Sequence, residues 1–198
     1  MVLVSGRGTN LQALIEATQG GYIPGEISLV ISDNPQALAL EQARKASIST
    51  LVLDYNIFPH KRAYEDALLQ VLEKENPHLI CLAGYMRIVG KKIIARFQGR
   101  IMNIHPSLLP AFPGLEAQKQ ALDYGVKVSG CTVHLVDEGM DTGPIILQAS
   151  CPVEDEDTVE SLSERILRYE HQIYPQAVKL FLEDKLSVVG RRVFIKKG

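Results

Sequence analysis

Apolar residues follow two alternating rhythms along the first half of the chain. Four short runs read as strands: VLVS (Val2–Ser5), ISLVIS (Ile27–Ser32), TLVLD (Thr50–Asp54) and HLICLAG (His78–Gly84). Each is rich in Val, Ile and Leu and too brief for a helix. Between them, NLQALIEATQ, LALEQARKAS and RAYEDALLQVLEKEN space apolar residues three and four apart, the signature of helices with one buried face. KKIIARFQG continues as helix and RIMNIH returns to strand. Strands alternating with helices predict βαβ units, a mainly parallel sheet and right-handed crossovers. An unbroken apolar run such as LICLAG suits a strand covered on both faces.

The rhythm changes after Leu115. GCTVHLV (Gly130–Val136) and GPIILQASCPV (Gly143–Val153) flank a short acidic, Gly-containing link, which predicts antiparallel pairing. A helix follows over roughly 158–183, with acidic DEDT at its start where the helix dipole favours negative charge. The closing KLSVVGRRVFIKKG reads as a small hairpin or edge strands. The expected fold is α/β and Rossmann-like: an open, mostly parallel sheet with an antiparallel C-terminal extension and a long C-terminal helix, in a single domain over residues 1–198.

Composition narrows the function. With 21 basic and 23 acidic side chains the formal net charge is -2, so a nucleic-acid partner is not expected. No apolar run reaches bilayer length, so neither is a membrane. The first ten residues lack a basic segment and a small-residue cleavage site, which points to a cytoplasmic setting. Cys81, Cys131 and Cys151 each lie inside an apolar run and read as buried thiols, without disulfides or zinc.

In open parallel sheets ligands bind beyond the carboxyl ends of the strands. Three polar stretches fall there: Ser5-Gly6-Arg7-Gly8-Thr9-Asn10, Gly84-Tyr85-Met86-Arg87 and Asn103-Ile104-His105. SGRGTN joins strand to helix, and its N–H groups could hold an anion or simply form a tight turn. It lacks the Gly-Lys-Ser/Thr of a nucleotide loop and the third Gly of a dinucleotide fingerprint, so a small phosphate ester fits better. Asn103 and His105, two apart on a strand, share a face. An amide donor beside an imidazole suits a developing oxyanion and a proton transfer. The following PSLLP would hold that strand end rigid.

DEGMDTGP (Asp137–Pro144) puts three carboxylates in a turn, either a solvated hairpin or a source of a partner for the imidazole. Asp141 is the candidate, and it is expected to raise the pKa of His105. His134, on the neighbouring strand, reads as a supporting group. His60 and His78 read as surface or capping residues, and His171 could face the core or the site. Glu170, by its place in the helix alone, belongs on a solvated face.

Together, SGRGTNLQAL, LAGYMRI, NIHPSLLPAFPGL, GCTVHLVDEGMDTGPIILQ and EHQIYP resemble the phosphoribosylglycinamide formyltransferases, enzymes of purine biosynthesis that use 10-formyltetrahydrofolate. The resemblance implies a catalytic trio of Asn103, His105 and Asp141. It implies that Gly8, Thr9 and Asn10 hold the substrate phosphate, with Glu170 at the ribose and glycinamide. Met86, Arg87, Ile88 and Val89 would line the folate pocket, and Asp137, Glu138, Gly139 and Met140 would close over the pterin. Residues 1–115 would form the phosphate-binding half and 116–198 the folate-closing half. Thr132 and His134 would support the trio. No metal is expected, the partners would be small molecules, and the protein would be a monomer or homodimer.

Three positions depart from the family pattern. Lys61 stands where an Arg commonly meets the glutamate tail, keeping the charge but not a bidentate grip. Gln118 replaces a frequent His, and Leu167 a position that is often polar. Rival readings are a formyltetrahydrofolate deformylase, with water as acceptor, a methionyl-tRNA formyltransferase, and a binding domain without catalysis. RRVFIKKG is too little to bind a tRNA.

Overall fold

A computed structural model describes residues 1–196. Lys197 and Gly198, the end of the anticipated hairpin, lie outside the described residues. The order is β1 (Val2–Val4), α1 (Thr9–Gln19), β2 (Val30–Ser32), α2 (Leu38–Lys45), β3 (Thr50–Val52), α3 (Lys61–Glu75), β4 (Ile80–Leu82) and α4 (Lys91–Arg96). Then follow β5 (Ile101–His105), α5 (Ala117–Tyr124), β6 (Val128–Leu135), β7 (Ile145–Pro152), α6 (Val159–Leu182), β8 (Leu186–Val189) and β9 (Arg192–Ile195). The sheet runs β3-β2-β1-β4-β5-β6-β7-β9-β8. Strands β1 to β5 are parallel, β6 is antiparallel to β5, and β7 to β6. The hairpin β8–β9 rejoins this sheet, because β9 pairs parallel with β7 at Ile145 and Arg192.

Period-two alternation sorts the central strands onto two cores. Val2 and Val4 of β1 face a cluster with Leu11, Leu14, Ile166, Tyr174 and Val178 from α1 and α6. Leu3, between them, faces Tyr64, Leu68, Leu72, Ile93 and Phe97 from α3 and α4. Fully burying one such side chain contributes about 1.5–3 kcal/mol, so these clusters, rather than helix propensity, hold the helices in place. Tyr174 is fully buried, and its hydroxyl lies 3.0 Å from the carbonyls of both Leu82 and Met102, tying β4 to β5 just below the ligand edge.

The strands are shorter than the apolar runs: β2 begins at Val30 rather than Ile27, and β4 keeps only Ile80–Leu82. Helix α5 is an addition to the sequence reading. It starts after Glu116 in a left-handed conformation and buries only Ala117 and Ala121, too little apolar surface to print a clear period. At the long helix the Thr158 side chain accepts from Ser161 N–H, and Ser161 returns a bond to the Thr158 backbone, a reciprocal cap. Among the described residues no helix is long and apolar enough to cross a membrane.

Candidate active site

Strand β5 delivers Asn103 and His105 to the same face at its carboxyl end. Its neighbour β6 runs antiparallel, with Asn103 opposite His134 and His105 opposite Thr132. His134 is buried, and its Nδ1 lies 2.9 Å from the Leu135 carbonyl. A carbonyl only accepts, so Nδ1 carries the proton and, in the neutral ring, Nε2 is left as an acceptor. The Asn103 amide nitrogen sits 3.1 Å from that Nε2 and donates to it. This bond orients the Asn103 amide.

The loop after β5 folds back on the imidazole. His105 Nε2 donates to the Phe112 carbonyl at 2.9 Å, from a residue whose φ is +52°. Thr132 keeps this loop in place: its hydroxyl accepts from Leu109 N–H at 3.0 Å and donates to the Ser107 carbonyl at 2.7 Å. Gln148 on β7 adds a bond to the Leu109 carbonyl at 2.9 Å. Thr132 thus supports the loop rather than touching Asn103 or Asp141. Besides its prolines, the loop is thus held by side chains on β6 and β7.

Asp141 completes the group from the β6–β7 link. Its φ is +54°, an uncommon conformation that Asp tolerates better than most residues. Its Oδ2 accepts from Gly114 N–H at 2.8 Å and lies 3.4 Å from His105 Nδ1; Oδ1 lies 3.6 Å from His134 Nε2. Two residues on, Gly143 leaves no room for a side chain, because a Cβ there would meet the Leu135 carbonyl oxygen at 1.7 Å. That close approach fixes the return of the link.

One expectation reverses sign. Asp141 does favour the charged imidazole, as does the Phe112 carbonyl, yet burial opposes charge more strongly and His134 adds to it. His105 is accordingly held below the ordinary imidazole range. At rest it is a neutral ring with its proton on Nε2, and its Nδ1 lone pair faces Asp141. Burial also works against the charge of Asp141, but it is outweighed, and the Gly114 N–H that donates to Oδ2 helps keep the carboxyl below the usual range.

Asn103, His105, His134 and Asp141 line a cavity of about 490 Å³, with Met86, Arg87, Ile88 and Val89 on one wall and Asp137–Met140 and Gln118 on another. Both halves of the chain therefore contribute to it. Arg87 turns its Nε onto buried Asp33 at 2.7 Å and stacks over the Tyr55 ring at 4.0 Å. Glu138, at the edge of the link, pairs with the exposed Lys91 Nζ at 2.9 Å. Lys61 does not line this cavity; it lies at the start of α3, 3.4 Å from Glu65. Leu167 is half-buried on α6.

Gly8, Thr9, Asn10 and Glu170 form a second group outside that cavity. Gly8 precedes α1 at φ +80°, and no side chain caps the helix. The turn's carbonyls are engaged elsewhere: Gly6 accepts from Ala39 N–H and Arg7 from Gln42. Glu170 is buried rather than solvated, because α1 packs over it, and Asn10 Nδ2 donates to its Oε2 at 2.7 Å. Burial pushes its carboxyl above the ordinary range, with Asn10 pulling partly back. Asn10 Oδ1 is buried with no partner among the described residues.

The other groups are quieter. His60 caps α3, its Nδ1 accepting from Ala63 N–H at 3.0 Å. The three cysteines are buried free thiols; burial raises Cys81 to about 11 and Cys131 to about 12, far from reactive thiolates. Among the described residues no group of three or more His, Cys, Asp or Glu side chains is placed to hold a metal. Sequence reasoning missed the Phe112 carbonyl, the Gly114 N–H and Gln148. The first two are backbone groups, which no residue letter announces. Gln148 could have been found from its β7 register opposite Thr132.

Residues 1–178 match the family described as formyl transferase. The chain is 54% identical to glycinamide ribonucleotide transformylase 1 from Symbiobacterium toebii, whose crystal structure superposes with a TM-score of 0.97 and covers 99% of this chain and 92% of that one. It is 42% identical over 181 residues to the phosphoribosylglycinamide formyltransferase of Bacillus subtilis, covering 91% of this chain and 93% of that protein. It is 46% identical over 183 residues to the trifunctional purine biosynthetic protein adenosine-3 of Drosophila melanogaster; these cover 91% of this chain but only 14% of that protein's length. A formyltetrahydrofolate deformylase from Pseudomonas syringae shares the fold, with a TM-score of 0.92 at 24% identity.

Proposed function

Because the chain belongs to the formyl transferase family, we propose that it moves a formyl group from 10-formyltetrahydrofolate to the amine of 5'-phosphoribosylglycinamide. The observation that carries this reading is the convergence of Asn103, His105 and Asp141 on one cavity, beside an uncapped helix start suited to a phosphate. Formyl-folate would occupy the cavity between residues 86–89 and 137–140. The phosphate would take the N–H groups at Gly8, Thr9 and Asn10. The orphaned Asn10 Oδ1 would accept from a ribose hydroxyl, and the buried Glu170 carboxyl, already bonded to Asn10 Nδ2, would accept from the ribose or glycinamide beside it.

The amine nitrogen attacks the formyl carbon, and the carbonyl oxygen gains negative charge. Asn103, held by His134, donates to that oxygen. The neutral Nδ1 of His105 takes up the proton lost by the amine as the charge develops, since the oxyanion and Asp141 both favour the charged ring. Each preorganised donor of this kind contributes about 3 kcal/mol. The new C–N bond forms, the bond to folate N10 breaks, and His105 gives up that proton, which passes by way of Asp141 and water to N10 and leaves the ring neutral again. Holding both reactants in contact supplies much of the remaining acceleration.

The same trio could hydrolyse formyl-folate, and the phosphate-suited turn favours the amine as acceptor. Mixing purified protein with 10-formyltetrahydrofolate, with and without phosphoribosylglycinamide, separates the readings by the absorbance of the folate product. Turnover only with the amine is expected. Equal turnover without it would make the protein a deformylase, and none in either case would leave a binding domain.

A further inference from the structure

The closing hairpin has no part in that reaction, yet it bears on the loop that does. β9 pairs with β7 at Ile145, one residue beyond Pro144, where the 136–144 link rejoins the sheet. From the turn before β9, Arg191 Nη2 donates to the Thr142 carbonyl at 2.7 Å. Thr142 follows Asp141 directly in the chain. Its hydroxyl donates to Asp137 Oδ1 at 2.6 Å, and the Gly139 N–H donates to the same oxygen at 3.1 Å, so the link is closed into a compact turn. A shift of the Thr142 peptide is therefore passed to Asp141, whose left-handed backbone leaves it few alternative positions.

The tethers on the two limbs differ. The outer limb is held by the exposed Lys91–Glu138 ion pair, of a kind that contributes little in water. The inner limb is held by Gly143 against Leu135 and by Arg191. The Arg191 bond is charge-assisted but exposed, so it adjusts the loop without holding the fold together. Neighbouring Arg192 turns its guanidinium over the Phe194 ring at 4.8 Å and makes no side-chain bond to the link among the described residues.

We propose that the β8–β9 hairpin is a strut for the β6–β7 link, and that Arg191, through the Thr142 carbonyl, is a positioning residue for Asp141. This rests on the reading of Asp141 as part of the catalytic trio. Arg191→Ala, Arg191→Lys and Arg192→Ala in the full chain test it. Arg191→Ala is expected to lower kcat roughly threefold to tenfold, with KM for the phosphorylated amine within about twofold. Arg191→Lys, which can still donate to the carbonyl, is expected to restore most of the loss, and Arg192→Ala to leave kcat near wild type. Amide hydrogen exchange over 137–143 should rise in Arg191→Ala alone. The proposal falls if that exchange is unchanged, or if Arg192→Ala loses as much as Arg191→Ala. Wild-type protein that fails to transfer formyl would refute the functional reading instead, and the exchange data would still decide the strut.

Discussion

Replacing Asp141 by Asn removes one charge and almost no volume. In the variant the side-chain oxygen can still accept from Gly114 N–H, so the link should keep its shape. What disappears is the attraction between a carboxylate and an imidazolium 3.4 Å apart. At an effective dielectric constant of 20 that attraction is about 5 kcal/mol. It acts fully only when His105 is protonated, and at rest burial keeps the ring neutral. The loss should therefore appear in the transition state rather than in binding. We expect kcat to fall about 100- to 1,000-fold, equivalent to roughly 3–4 kcal/mol, with KM for both substrates changed only a few fold. Steady-state formyl transfer at saturating substrates measures this. Histidine NMR supplies a second check, since losing the anion must push the His105 pKa further down. A kcat within about fivefold of wild type, or an imidazole pKa that rises, would refute the reasoning.

Three other outcomes follow from the same geometry. Asn103→Ala should cost about 100- to 1,000-fold in kcat with little change in KM; a pure KM effect would mean that Asn103 binds ground states only. Gly8→Ala should destabilise the fold by about 1–3 kcal/mol in urea and weaken binding of the phosphorylated amine more than of the folate. The added Cβ would sit 2.7 Å from Ala39 in a backbone at φ +80°, and a variant with wild-type stability would contradict this. His171, like His105, is held by burial below its ordinary value of 6.5. The unfolded chain then binds more protons, so this contribution to stability is lost as pH falls below about 6.5. His171→Asn should gain in Tm relative to wild type between about pH 7 and 5, and a constant difference would count against it.

The sequence by itself determined the order of strands and helices, α5 excepted, because apolar spacing is a local property of each segment. It also paired Asn103 with His105, since residues two apart on a strand must share a face. The link that brings Asp141 was legible as a turn between two strands. Three features were decided only by tertiary structure. Glu170 looked solvated on its helix, yet it is buried against Asn10, 160 residues away in the chain. His105 was expected to be charged beside a carboxylate, but the packing around it removes water, and that cost exceeds the attraction of one anion. The grip on the site by the Phe112 carbonyl, the Gly114 N–H and Arg191 depends on where loops meet in space. Backbone groups carry no signature in the residue letters, and burial is a property of the assembled layers. Sequence thus named the candidate side chains, while the fold set their burial and their positions.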